Sequence, residues 1–304
     1  MKNQQIHIPV LLGEVLQYLE PKAEERYLDL TAGYGGHAQE ILGRTLNPNG
    51  ATLVDRDHIA IGHLRGQREF DGSEIIQQDF LSASIDLLAR GSRYDIILAD
   101  LGVSSPHLDN ASRGFSIVND GPLDMRMDSS QELTAKTIVN SYEEAGLVKL
   151  LRDYGEEPRA RAIAHTIVEH RPVTSTHELA DIIARAAGKR PARPAKRIHP
   201  ATRSFQALRI AVNDELGLLT TAMPKWLELL APGGRIAIIS FHSLEDRQVK
   251  QFFAENTGDR YDARLRLLTK KQVSAGAQEL ASNPRARSAK LRAAVKINIK
   301  GRGS

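Results

Sequence analysis

Two rhythms of apolar and polar positions alternate along the first hundred residues. Short apolar runs at RYLDL (26–30), GATLVDRD (50–57), EIIQQDF (74–80) and YDIILADLG (94–102) read as strands. Between them GGHAQEILGRTL (35–46), HIAIGHLRGQ (58–67) and SIDLLARG (84–91) read as helices. Strands alternating with helices at this spacing predict a parallel sheet covered on both faces. The pattern then stops. Residues 105–130 read as loop, and the stretch after them is helical. SYEEAGLVKLLRDYG opens with a capping box from Ser141 to Glu144 and closes at Gly155, and STHELADIIARAAG repeats that grammar from Ser175 to Gly188. Strand signals return at GGRIAIISF (233–241), followed by the helix LEDRQVKQFFAE (244–255). KLRAAVKINI (290–299) alternates apolar and basic positions, which predicts a closing edge strand with one basic face. The organisation expected is an α/β domain built from 1–112 and 214–304, interrupted by an all-helical insert at 113–213 suited to substrate recognition.

Composition narrows the classes. A chain of 304 residues that is 41% hydrophobic is long enough for a well-buried core. No apolar stretch is long enough to span a bilayer, and the N-terminal run is interrupted by Gly13 and Glu14, unlike a signal peptide. There is no cysteine, which removes disulfides, thiolate metal sites and any thiolate nucleophile. A cytoplasmic protein with no membrane association and no required metal is expected. The net charge of +4 is unevenly placed. No acid lies between Asp181 and Asp214, a stretch holding Arg185, Lys189, Arg190, Arg193, Lys196, Arg197, Arg203 and Arg209, and none follows Glu279. Two acid-free blocks in a balanced chain favour a polyanionic partner such as nucleic acid over a solvated face. In HPATRSFQALRI, Arg203, Gln206 and Arg209 form a stripe beside Phe205, Leu208 and Val212, either touching phosphates or merely solvated.

Candidate chemistry gathers at the strand tips. Gly33-Tyr-Gly35-Gly36-His37-Ala38 satisfies the G-x-G-x-x-G/A pattern, with Asp55 at the end of the next strand, so a dinucleotide site is one possibility. Asp29, at the tip of the first strand, would oppose a pyrophosphate. It suits a ligand bearing an ammonium and a sulfonium, which S-adenosyl-L-methionine provides without any phosphate. Asp55 then accepts the ribose hydroxyls. Asp79-Phe80 ends the third strand, where Phe80 either meets the adenine or belongs to the core. Asp100 ends the fourth strand at the edge where open α/β sheets bind ligands. His242, after RIAIISF, either contacts substrate or caps the next helix. Without cysteine the chain cannot form the covalent thiolate adduct that carbon-5 methylation of a pyrimidine usually needs, so the methyl acceptor should already be a nucleophilic nitrogen or oxygen.

The blocks DLGVSSPHLDNASRGFSIVNDGPLDMRMD, YGEEPRARAIAHTIV, HPATRSFQALRIAVNDEL, ISFHSLEDR and NPRARSAKLR, together with HIPVLLGEVL and YGGH, span nearly the whole chain. In this order they closely resemble the bacterial small-subunit ribosomal RNA cytosine-N4 methyltransferases, the MraW family. The resemblance implies a class I, Rossmann-like adenosylmethionine-dependent methyltransferase sheet with an inserted all-helical domain. It implies methylation of a decoding-centre cytosine of 16S ribosomal RNA in the small ribosomal subunit. It assigns cofactor contacts to Gly35, Gly36, His37, Asp55, Phe80, Asp100 and His107. His107 stands where the family usually has Gln; Leu30-Thr31 and Ala38 replace the usual Gly-Thr and Ser. The Asn/Asp-Pro-Pro-aromatic tetrad of many amino methyltransferases is absent, and Asp100-Leu-Gly-Val-Ser-Ser-Pro occupies its place. Asp100 is therefore the candidate catalytic acceptor, and Arg197, Arg203 and His242 are the candidate RNA contacts. Two other classes stay open at this point: an NAD-dependent oxidoreductase and a non-catalytic RNA-binding assembly factor.

Overall fold

The computed structural model describes residues 9–104, 108–188, 199–258 and 263–297. The chain divides into two compact units, residues 1–102 with 216–304, and residues 103–215.

The first unit is built on a seven-stranded sheet. Strands β1 (Tyr27–Asp29), β2 (Ala51–Asp55), β3 (Glu74–Gln77), β4 (Tyr94–Asp100) and β5 (Leu230–Ser240) run parallel in the order β3-β2-β1-β4-β5. Beyond β5 lies β7 (Lys290–Lys296), antiparallel, and then β6 (Leu265–Leu267) at the edge. The apolar runs are nearly continuous because both faces are covered. Ile96 and Leu98 of β4 enter one core with Val15, Leu19, Ile41 and Leu64, from helices α1 (Leu12–Leu19), α2 (Gly36–Thr45) and α3 (His58–Arg65). Ile97 and Ala99 enter the opposite core with Leu87, Trp226 and Phe253, from α4 (Phe80–Ala89), α10 (Glu215–Leu229) and α11 (Ser243–Glu255). The chain steps outward from β1 to β3 with α2 and α3 on one face, then returns to β4 through α4 on the other. That reversal opens a crevice at the carboxyl ends of β1 and β4, where α/β sheets bind ligands.

Two expectations about this unit are corrected. Asp79 and Phe80 do not end β3: Asp79 caps α4, its Oδ1 accepting from Leu81 N and Ser82 N, both at 2.9 Å. The tail is not an edge strand with a basic outer face. Leu291 and Ala293 enter one core and Ala294 the other, and β6 covers its far edge. The basic positions mislead because they are neutralised internally. Arg292 is buried and bidentate on Asp246 of α11, with Nε to Oδ1 at 2.7 Å and Nη2 to Oδ2 at 3.2 Å. Lys296 Nζ donates to the carbonyls of Leu227 (2.7 Å) and Leu230 (2.6 Å), where α10 ends. A cation there satisfies orphan carbonyls and complements the helix dipole.

The second unit is helical: α5 (Ala135–Ser141), α6 (Glu144–Gly155), α7 (Ala160–Glu169), α8 (Thr176–Ala186) and α9 (Thr202–Asn213). They enclose a core that includes Ile138, Leu151, Ile163, Ile183 and Phe205. Ser141 is the last residue of α5 and does not cap α6, whose N-cap is Glu143 with no side-chain bond. Ser175 does cap α8, its Oγ accepting from Glu178 N at 3.3 Å, while Glu178 turns back to Thr174 N at 2.7 Å. Residues 114–131 carry no helix or strand and are tied down by side chains instead. Arg126 grips Asp124 through Nε (2.9 Å) and Nη2 (2.8 Å) and donates to the carbonyls of Ser129 and Gln131. Asn213 Oδ1 accepts from Met127 N and its amide donates to Met125 O, both at 2.8 Å.

The stripe on α9 is used within the unit. Arg203 donates to Glu156 O and Gln206 to Tyr154 O, each at 3.2 Å. Arg209 forms two 2.8 Å hydrogen bonds with Glu215. Gly155 allows the approach of α6 to α9, since a Cβ there would lie 2.7 Å from Arg203 O. Arg203 alone of the three is exposed.

Candidate active site

Three carboxylates end three adjacent strands. Asp29, at the tip of β1, is only 2% exposed. Its Oδ2 accepts from the Tyr27 hydroxyl at 2.6 Å and its Oδ1 from Thr31 N at 3.1 Å. Burial pushes its pKa up to about 7, against the opposing pull of those two hydrogen bonds. Asp55, at the tip of β2, braces the glycine turn: Oδ2 accepts from Gly33 N and Oδ1 from Asp57 N, both at 2.8 Å. The turn needs its glycines. Gly33 and Gly35 have φ of 53° and 82°, and a Cβ on Gly35 would lie 2.3 Å from Phe70 Cζ. Gly35 caps α2 and Gly36 opens it with no side-chain cap, while the Gly35 N–H donates to Ala32 O at 2.8 Å.

Asp100, at the tip of β4, is held through its backbone, whose N–H donates to Thr31 Oγ1 at 2.6 Å. Among the described residues, its Oδ1 is buried without a hydrogen-bond partner. Burial, then the neighbouring Asp29 and Glu245, raise its pKa well above the usual carboxylate range. His37, buried in the first turn of α2, places Nδ1 3.7 Å from Asp100 Oδ2 and Nε2 2.9 Å from Val10 O. Among the described residues, neither Asp29 nor Asp100 forms an ion pair with a lysine or arginine.

The other sequence candidates fall in different settings. Phe80 opens α4, half-buried, with its ring edge-on to Trp226 at 5.5 Å between centroids. His242 is buried and caps α11: Nδ1 accepts from Glu245 N at 3.3 Å, while Glu245 Oε2 accepts from His242 N at 3.2 Å. Of the two roles left open for His242 by the sequence, capping is the one its contacts describe. His107 and Arg197 lie outside the described residues. Sequence reasoning missed Tyr27, Thr31 and Val10 as partners of the site. A buried Tyr two residues before a strand-tip acid was the one available signal.

A buried acid, Asp29, and a half-buried one, Asp100, at a sheet's switch point, with no lysine or arginine paired to them among the described residues, repel a phosphate and welcome a cation. Asp100 Oδ1 lacks a donor, and an ammonium or sulfonium placed there relieves the desolvated charge. Adenosylmethionine fits this donor set and a pyrophosphate does not. The antiparallel seventh strand between β5 and β6 likewise departs from the 3-2-1-4-5-6 order of dinucleotide-binding sheets. The sheet order and the acids at its tips are those of a class I methyltransferase, whose cofactor is S-adenosyl-L-methionine. Residues 4–297 match the model of the MraW methylase family, and the chain belongs to that family. A protein of Heliobacterium mobile, "Ribosomal RNA small subunit methyltransferase H", is 44% identical over 310 residues, covering 96% of this chain and 99% of its own. The protein of the same name from Heliobacterium modesticaldum is 46% identical over 312 residues, covering 96% and 98%. Among solved structures, an rRNA methylase from Streptococcus thermophilus aligns with a TM-score of 0.41 at 11% identity, covering 94% of this chain and 93% of that one.

Asp29 gives a pH-dependent expectation. In the folded chain its carboxyl keeps a proton up to about pH 7, whereas unfolded it ionises near 3.8. Its contribution to stability is therefore full below the unfolded value and is lost as pH rises through the folded one. A shift of this size corresponds to ~4 kcal/mol. Asp29→Asn removes the titration and sacrifices one acceptor, so the variant should be more stable than wild type by ~3 kcal/mol at high pH and less stable by ~1 kcal/mol in acid. Urea denaturation across the acid-to-alkaline range checks this, and a difference that does not change with pH contradicts it.

Proposed function

We propose that the protein transfers a methyl group from S-adenosyl-L-methionine to the N4 amino group of a decoding-centre cytosine in 16S ribosomal RNA, acting in the cytoplasm on the small ribosomal subunit. The observation that carries the chemistry is the buried, unpartnered Oδ1 of Asp100 at the tip of β4. The names of the two relatives, both at least 44% identical, support ribosomal RNA of the small subunit as the substrate. The absence of cysteine favours an acceptor that needs no covalent activation, such as an amino nitrogen.

In this proposal Gly35, Gly36 and the first turn of α2 meet the methionine portion, and Asp29 lies beneath its ammonium. Asp55 takes the ribose hydroxyls; a carboxylate has about four acceptor positions, so bracing the turn leaves capacity for them. Phe80 borders the adenine, and His107 completes the cofactor contacts. The cofactor supplies an electrophilic methyl on a sulfonium. Cytosine N4 shares its lone pair with the ring, so the protein must hold the nitrogen aligned with the methyl–sulfur axis. Asp100 accepts a hydrogen bond from the amino group and so favours a pyramidal nitrogen. The residues 113–213 serve as the RNA-recognition insert, with Arg197 and Arg203 as phosphate contacts and His242 near the RNA.

Nucleoside mass spectrometry of 16S RNA from cells lacking and then regaining the protein tests the reaction. N4-methylated cytidine should disappear and return; a signal that persists without the protein overturns the proposal. The RNA grip has its own test. Replacing Arg193, Lys196 and Arg197 together with alanine should weaken RNA binding while leaving cofactor affinity intact. The slope of log affinity against log salt should flatten by about 0.7 per lost contact on single-stranded RNA. A solvated stretch predicts the same slope before and after.

A further inference from the structure

The two ring nitrogens of His37 face different partners. Nε2 lies 2.9 Å from the Val10 carbonyl, which can only accept, so Nε2 carries the ring proton. In the neutral ring Nδ1 is then a base, and it points at Asp100 Oδ2 from 3.7 Å. Thr31 Oγ1 anchors the Asp100 backbone N–H at 2.6 Å, so the strand tip is fixed. Among the described residues, the charged groups that bear on Asp100 are Asp29 from β1, Glu245 from α11 and His37 from α2. Two are acids. With its Oδ1 buried and those acids beside it, a lone Asp100 favours its protonated form, and a protonated acid cannot take up another proton.

We propose that Asp100 and His37 form one proton-accepting pair, in which Asp100 takes the proton released at the amino nitrogen and Nδ1 of His37 carries it onward. This rests on the proposed place of Asp100 beside that nitrogen. The nitrogen lone pair forms the N–C bond while the C–S bond breaks and its electron pair stays on sulfur. The nitrogen then holds one proton in excess, which passes to the Asp100 carboxylate. From there it moves to Nδ1, giving an imidazolium whose Nε2–H remains on Val10 O, and Asp100 is again a carboxylate. The proton returns to solvent as product leaves. Imidazolium beside carboxylate is the arrangement that a site crowded with acids stabilises most. His37 acts through Asp100 and is a positioning residue.

Imidazole 15N NMR of the histidine-labelled full chain, titrated through the neutral range, tests the pair without turnover. His37 should show the Nε2–H tautomer at high pH and take up a proton at Nδ1 as pH falls. In Asp100→Asn the midpoint of that uptake should drop by about one pH unit or more, because a facing carboxylate is lost. A wild-type Nδ1 that never protonates, or a midpoint unmoved by Asp100→Asn, overturns the proposal. His37→Gln supplies the kinetic arm, since its amide keeps a donor for Val10 O and has no basic nitrogen. At saturating substrates its kcat should fall at least about tenfold, and the acid limb of its pH profile should move. An unaltered limb, even with a lowered melting temperature, marks a merely structural histidine and overturns the pair. If His37→Gln does not fold, the wild-type titration decides alone. The titration is read on the free protein, so a wrong substrate leaves the coupling visible, whereas a wrong pair abolishes it.

Discussion

Arg292→Ala is expected to lower the unfolding free energy of the sheet-bearing unit by about 3–5 kcal/mol, the range for breaking one partner of a buried ion pair. Arg292 is 8% exposed and Asp246 9%. Removing the guanidinium leaves the buried Asp246 carboxylate with Lys290 Nζ at 3.7 Å as partial compensation. Gln272 Oε1, 3.1 Å from Nη2, loses its donor as well. Arg292→Met with Asp246→Leu should recover most of the loss, because the penalty comes from the orphaned charge more than from the pair's own attraction. Urea denaturation followed by tryptophan fluorescence is well suited, since Trp226 is the single tryptophan and is fully buried in the same unit. An Arg292→Ala midpoint equal to wild type contradicts the assignment of β7 as a strand covered on both faces.

Asp100→Asn is expected to reduce kcat by about 10²–10⁴-fold, the range for removing a positioned acid–base group. The same substitution should leave the protein as stable as wild type or more so at neutral pH. Asn keeps the shape, relieves the repulsion from Asp29 and Glu245, and places no charge on an oxygen that has no donor. Activity down with stability preserved separates a working carboxylate from a structural one. The sign with pH comes from its raised pKa. Wild-type folding stability attributable to Asp100 is full below the ordinary carboxylate range and declines as pH climbs through the folded value, and that decline is absent in the variant. Thermal melts across pH, paired with single-turnover methylation, check both halves. Full turnover by Asp100→Asn removes Asp100 from the chemistry.

The parallel strands, their helices and the acids at their tips were legible in the chain before any packing was known. They depend on local grammar: apolar runs of strand length, amphipathic spacing and glycines where φ must be positive. Asp29, Asp55 and Asp100 stood out because a charge at the end of an apolar run contrasts with its surroundings. Charges satisfied by partners on other elements did not. Arg292, Lys296 and Arg209 look like a solvated basic face in sequence, yet they pair with Asp246, the end of α10 and Glu215. Ser141 and Glu144 have the spacing of a capping box, but α5 runs through Ser141 and forecloses it. Likewise β6 has too few residues to announce itself, and only its pairing with β7 makes it a strand. Packing in three dimensions set Tyr27 on Asp29, Thr31 under Asp100 and His37 between Val10 and Asp100. Periodicity encodes which side of an element faces inward, while the partner of a buried polar group is fixed only when segments far apart in the chain pack together.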